Sequence, residues 1–93
     1  MNERPEGWTL VFSNQARKDN ARLARSGMKP KAQRLFEIME EDPLRSPPAV
    51  KRLRGDLEGM YSRRISQQHR IVYSLDHDRR MVYVLRTWTH YVD

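Results

Sequence analysis

Acid-base chemistry at a phosphate ester needs three kinds of group: a base for the attacking hydroxyl, cations against the charge that develops, and an acid for the departing oxygen. The second half of the sequence holds candidates. His90, followed by Tyr91, closes the last apolar run, and an imidazole in basic surroundings can give or take a proton near neutral pH. A histidine so late in the chain is equally an exposed polar residue. Arg63, Arg64 and Arg70 lie in neighbouring runs from which guanidinium groups could converge bidentately on a phosphate, although the same spacing suits a solvated basic face. Tyr61, Trp88 and Tyr91 offer rings on which an unpaired base could stack, or which simply pack. His69, beside Arg70, reads as a packing or hydrogen-bonding residue and ranks below His90 as a catalyst, while His77 falls in a turn. Three scattered histidines without close carboxylate spacing do not resemble a metal site, and no cofactor is expected.

Whatever positions these groups must be small. The chain has 93 residues, 38% of them hydrophobic and 32% charged, enough for one domain with a modest core. Eighteen Lys and Arg against twelve Asp and Glu leave a formal charge of +6, a field that attracts polyanions or merely keeps the chain soluble. The absence of cysteine excludes disulfides, thiolate nucleophiles and Cys-ligated zinc, and suits a reducing cytoplasm. No apolar run has the length of a membrane span, and MNERPEGW lacks the apolar stretch of a secretory signal, so a cytoplasmic location is expected.

The elements follow from spacing. Trp8 to Ser13 reads as a first strand, after which Ser13 or Asn14 caps a helix carrying Ala16, Leu23, Ala24 and Gly27 at helical intervals, with Arg17, Lys18, Arg22 and Arg25 on its wet face. Pro30 suits a first helical turn, and Ala32, Leu35, Phe36 and Met39 form the apolar stripe of a second helix. Pro43 and the pair Pro47-Pro48 make Asp42 to Val50 an extended loop. Tyr61 to Ser66, His69 to Asp76 and Met81 to Trp88 then read as strands. The predicted order is β-α-α-β-β-β, an α+β fold with a helical hairpin on a small antiparallel sheet. Alternation selects Ile65, Ile71, Tyr73, Leu75, Tyr83 and Leu85 for the helix-covered face and sets Arg64, Arg70 and Arg86, with His90, on the opposite one. Arg63, Arg64, Arg86 and Trp88 are the expected RNA-binding residues, chosen for charge and stacking surface. No helix-turn-helix pattern that would suit a DNA-binding regulator stands out.

The stretch Leu57-Glu58-Gly59-Met60-Tyr61-Ser62-Arg63-Arg64-Ile65, continuing through His69-Arg70-Ile71-Val72-Tyr73 and ending in Trp88-Thr89-His90-Tyr91, closely resembles the Txe/YoeB family of toxins within the RelE-like superfamily. The match is strong over about forty C-terminal residues and extends to the layout of the N-terminal half. The resemblance implies a fold like that of small microbial ribonucleases and a ribosome-dependent mRNA endonuclease, the toxin half of a type II toxin-antitoxin pair. It implies an acidic YefM/Axe-like antitoxin, the ribosome and mRNA as partners, a homodimer as a further option, and promoter DNA only through the antitoxin complex. It assigns Arg70 to transition-state stabilisation, His90 to the general acid, Tyr91 to positioning of the scissile phosphate, and Arg64 to RNA backbone contact. Relatives carry a glutamate as proposed base where this sequence has Lys51. A lysine accepts a proton only from its neutral form, so Lys51 is either a base made possible by its surroundings or a phosphate-holding residue in an attenuated, non-catalytic homologue. Glu58 or a ribosomal group are the other sources of a base, while Gln68 replaces an acidic residue that some relatives carry.

Overall fold

The computed structural model describes residues 7–89, and among them two helices lie on a five-stranded sheet. The chain runs β1 (Thr9–Phe12), α1 (Asn14–Arg25), α2 (Lys29–Glu41), β2 (Lys51–Arg52), a short 3-10 turn (Gly55–Leu57), β3 (Tyr61–Arg64), β4 (Arg70–Asp76) and β5 (Met81–Thr89). The order read from the sequence is present, with β2 as one short strand more. The strands are arranged β1-β5-β4-β3-β2. The pairs β2/β3, β3/β4 and β4/β5 are antiparallel, but β1 runs parallel to β5, so the sheet is mixed rather than antiparallel throughout. A parallel pair needs a long crossover, and here the hairpin of helices and three further strands intervene between the partners.

Local chemistry explains the helix ends. Ser13 Oγ accepts from the Ala16 amide at 3.0 Å, capping α1, and donates to the Leu85 carbonyl at 2.8 Å, which ties the cap to β5. At the other end Gly27 takes φ 82°, and bonds from Met28 N to Leu23 O and from Gly27 N to Ala24 O close a Schellman motif. Met28 then packs against the core, and α2 begins with Pro30 in its first turn.

The core gathers Ala16 and Leu23 of α1, Ala32, Leu35, Phe36 and Met39 of α2, and Ile65, Ile71, Tyr73, Val82 and Val84 of the sheet side. Burial of each large side chain contributes about 1.5–3 kcal/mol. Two expectations are corrected. Ala24 is exposed, and the buried stripe of α1 is Ala16, Asp19 and Leu23. On β5 the phase is inverted: Val82 and Val84 face the helices, while Tyr83 and Leu85 are 37% and 39% exposed. Met81 to Leu85 are all apolar, so alternation could not choose a side; the pairing of Val84 with Tyr73 and Val82 with Leu75 does. No helix among the described residues is long and apolar enough to cross a membrane.

Candidate nucleic-acid interface

Strand register assembles the basic groups. Ile65, Ile71 and Tyr73 point to the helices, so the alternate residues Ser62, Arg64, Arg70 and Val72 belong to the other face, and Lys51 joins them because it lies directly opposite Ser62. Arg64 lies directly opposite Arg70. Arg70 is buried and donates from Nη1 to Ser62 Oγ at 3.2 Å, whereas Lys51 and Arg64 are exposed, the latter reaching the Gln67 carbonyl at 3.4 Å. Cations set directly across a strand pair repel, and an anion laid between them removes that penalty. Thr89 pairs with Arg70, so β5 ends beside this row. His90 and Tyr91 follow Thr89 in the chain and lie outside the described residues.

Other expected site residues are placed elsewhere. Arg63 is in phase with Ile65, not with Arg64, and is 0% exposed. Its guanidinium donates to the carbonyls of Pro48 at 2.9 Å, Pro43 at 3.1 Å and Arg45 at 2.7 Å. It therefore staples the 43–48 loop to the sheet and has no surface to offer RNA. Tyr73 adds a bond from its hydroxyl to Pro43 O at 2.7 Å, and burial pushes its phenol up from the ordinary value, which keeps it a neutral donor. Tyr61 stacks on Tyr73 with ring centroids 5.8 Å apart. Glu58 and Gln68 are exposed.

The whole-chain comparison agrees with the motif. The family model for the YoeB-like toxin of bacterial type II toxin-antitoxin systems matches residues 12–91. The chain belongs to the YoeB-like toxin family. Solved structures extend the likeness. The YoeB/ParE toxin from Agrobacterium tumefaciens is 27% identical, with a TM-score of 0.80 over 89% of this chain and 99% of that one. In the YoeB-YefM complex from Staphylococcus aureus the matched chain is 28% identical, with a TM-score of 0.76 over 90% and 98%. The YoeB dimer from Staphylococcus aureus gives the same identity, TM-score and coverage. A search of curated proteins finds no match.

The C-terminal strand of this YoeB-like chain holds the remaining corrections. Arg86 is not spread on the open face, because its Nε donates to Asp19 at 2.8 Å and its Nη2 to the Trp88 carbonyl at 3.0 Å. Trp88 is stacked on His69, centroids 3.9 Å apart, so one face of its ring is already covered. His69 is accordingly a packing residue, and exposed His77 meets the edge of Trp8 at 5.6 Å. Two residues were missed by sequence reasoning. Ser62 stood inside the family motif without a role. Asp19 is an acid among the arginines of α1, at i+3 from Ala16 and i−4 from Leu23, a spacing that puts it on the buried stripe.

Proposed function

We propose that this YoeB-like toxin is an endoribonuclease that cleaves mRNA on the ribosome without a metal. The observation that supports the reading is the row Lys51, Ser62, Arg64 and Arg70 on the face away from the helices, with β5 ending opposite Arg70. The 2′-hydroxyl attacks the adjacent phosphorus, its proton passing to the base, for which Lys51, Glu58 or a ribosomal group is the source. The bond from phosphorus to the 5′-oxygen breaks, and His90 gives that oxygen a proton. The products are a 2′,3′-cyclic phosphate and a free 5′-hydroxyl. Arg70, held by Ser62, balances charge on the phosphorane. Arg64 holds the neighbouring backbone, and Tyr91 positions the scissile phosphate. So small a protein has little surface with which to orient a message, and the ribosome supplies the pose.

The matched Staphylococcus aureus chain is seen with YefM. By that likeness the chain takes a YefM-like acidic antitoxin as partner, for which a net charge of +6 provides attraction. The YoeB dimer from the same organism makes a homodimer the second assembly to look for. The chain acts in the cytoplasm, where translating ribosomes are, as a single toxin domain. His90→Gln should leave folding intact and abolish toxicity in cells; full growth arrest by that variant would refute the assignment. One observation favours a second reading: Lys51 replaces the acidic base of the family resemblance, which fits an attenuated homologue that occupies the ribosome without cutting.

A further inference from the structure

Asp19 is 1% exposed and sits on α1, yet its carboxylate accepts almost entirely from β5. Oδ2 takes the Arg86 Nε at 2.8 Å, the Thr87 amide at 3.0 Å and the Trp88 amide at 3.2 Å; Oδ1 takes Gln15 Nε2 at 3.0 Å. Arg86 closes the loop by donating to the Trp88 carbonyl, and Thr87 Oγ1 donates to Asn20 Oδ1 at 2.6 Å. The location has a reason. The pairing of β4 with β5 shifts register between Arg70 and Val72 and again between Val72 and Tyr73. At such irregularities β5 amides lose their ladder partners, and a buried amide left without an acceptor is costly.

We propose that Asp19 is a positioning residue for Arg70, acting through the irregular end of β5 and its pairing with β4; the proposal rests on the endoribonuclease reading above. An apolar residue would fill the stripe between Ala16 and Leu23 without desolvating a carboxylate. Buried ion pairs contribute little net stability relative to such a residue, and their best-attested use is to fix one arrangement among several. Here the arrangement fixed is that of Thr87 and Trp88. The Trp88 ring is held on His69, the residue before Arg70, and one position later Thr89 pairs with Arg70 itself. Asp19 thus sets where the end of β5 lies against Arg70, the residue proposed to balance charge on the phosphorane. A displacement of a reacting group by about 1 Å costs on the order of 100-fold in rate.

The test compares Asp19→Asn, which keeps shape and removes charge, with Leu23→Ala, a core truncation on the same helix stripe. Both are assayed as full chains at a temperature where circular dichroism shows them folded. Asp19→Asn should lower kcat for mRNA cleavage in a translating lysate by about 100-fold with KM changed less than about 2-fold. It should also raise amide exchange at Thr87 to Thr89, while Leu23→Ala keeps kcat. Wild-type kcat in Asp19→Asn, or an equal loss in Leu23→Ala, overturns the proposal. If Asp19→Asn does not fold, Arg86→Gln passes through the same readouts with an expected loss of about 10-fold, and an unchanged kcat overturns it. Absence of cleavage by the wild-type chain would defeat the functional reading alone. In that case the NMR resonances of the Arg70 guanidinium decide: movement in Asp19→Asn but not in Leu23→Ala supports positioning, and no movement refutes it.

Discussion

Arg63 and Arg64 are adjacent in the chain and belong to opposite worlds. The first is sealed under the 43–48 loop with three carbonyls on its guanidinium; the second is exposed across from Arg70. The inward group of cations, Arg63 and Arg86, is bonded to carbonyls and to a carboxylate, whereas Lys51, Arg64 and Arg70 share the face away from the helices, the row on which the proposed chemistry rests. A high count of arginines therefore says little about binding until each is assigned to a face. In a strand that assignment changes every residue.

Substitutions should separate the two groups. The largest effect is expected for Arg63→Ala, which removes three hydrogen bonds to the 43–48 loop and empties the space of a fully buried side chain; denaturant unfolding should show a loss of at least about 3 kcal/mol, and a loss under about 1 kcal/mol would mean that the loop finds other partners. Asp19→Ala should follow with about 3 kcal/mol, as one partner of a buried pair is removed and Arg86 is left behind.

This second loss must depend on pH. Burial alone would raise the Asp19 carboxyl, but the bonds from Arg86, the Thr87 amide, Gln15 and the Trp88 amide outweigh it and hold the group below its ordinary value. The unfolded chain therefore takes up the proton first as pH falls. The stabilisation is fully present above about pH 4, the usual aspartate range, and disappears as pH drops through the lower native value. Unfolding curves of wild type and Asp19→Asn should converge at low pH; a constant gap would show that the charge is irrelevant.

On the outer face the readout changes from stability to binding. Arg64→Ala should alter unfolding by less than about 0.5 kcal/mol while weakening single-stranded RNA binding and reducing the salt dependence by about 0.7 in the log-log slope, the share of one phosphate contact. Unchanged salt dependence would remove Arg64 from the interface. A small loss, about 0.5 kcal/mol, is expected for Leu85→Ala, against about 1–3 kcal/mol for Val84→Ala. Reversal of that order would invert the face assignment of β5.

Much of this was legible in the letters. The apolar stripe of α2, the glycine turn and the proline-bounded loop were read from propensity and spacing. Arg63 was misread although Ile65 stands two residues away and shares its face; charge was allowed to overrule alternation. Asp19 shared the stripe of Ala16 and Leu23 and could have been found by the same periodicity. By contrast, nothing in Met81 to Leu85 distinguishes inside from outside, since both faces are apolar and only cross-strand partners break the tie. The bulged end of β5 was equally illegible, because register shifts arise from tertiary pairing and not from local composition. Of the candidate site, alternation set Arg64 and Arg70 on one face, but their direct pairing and the bond from Arg70 to Ser62 were not readable, since a Gln67-Gln68 turn would have set Arg64 opposite Ile71.

The most direct test is to sequence mRNA 3′ ends from a translating lysate given the wild-type chain, with Arg70→Ala in parallel. New ends carrying a 2′,3′-cyclic phosphate should accumulate on ribosome-bound messages with the wild type and be lost with the variant. Translation blocked by the wild type without new ends would contradict the account and leave an occluding protein in its place.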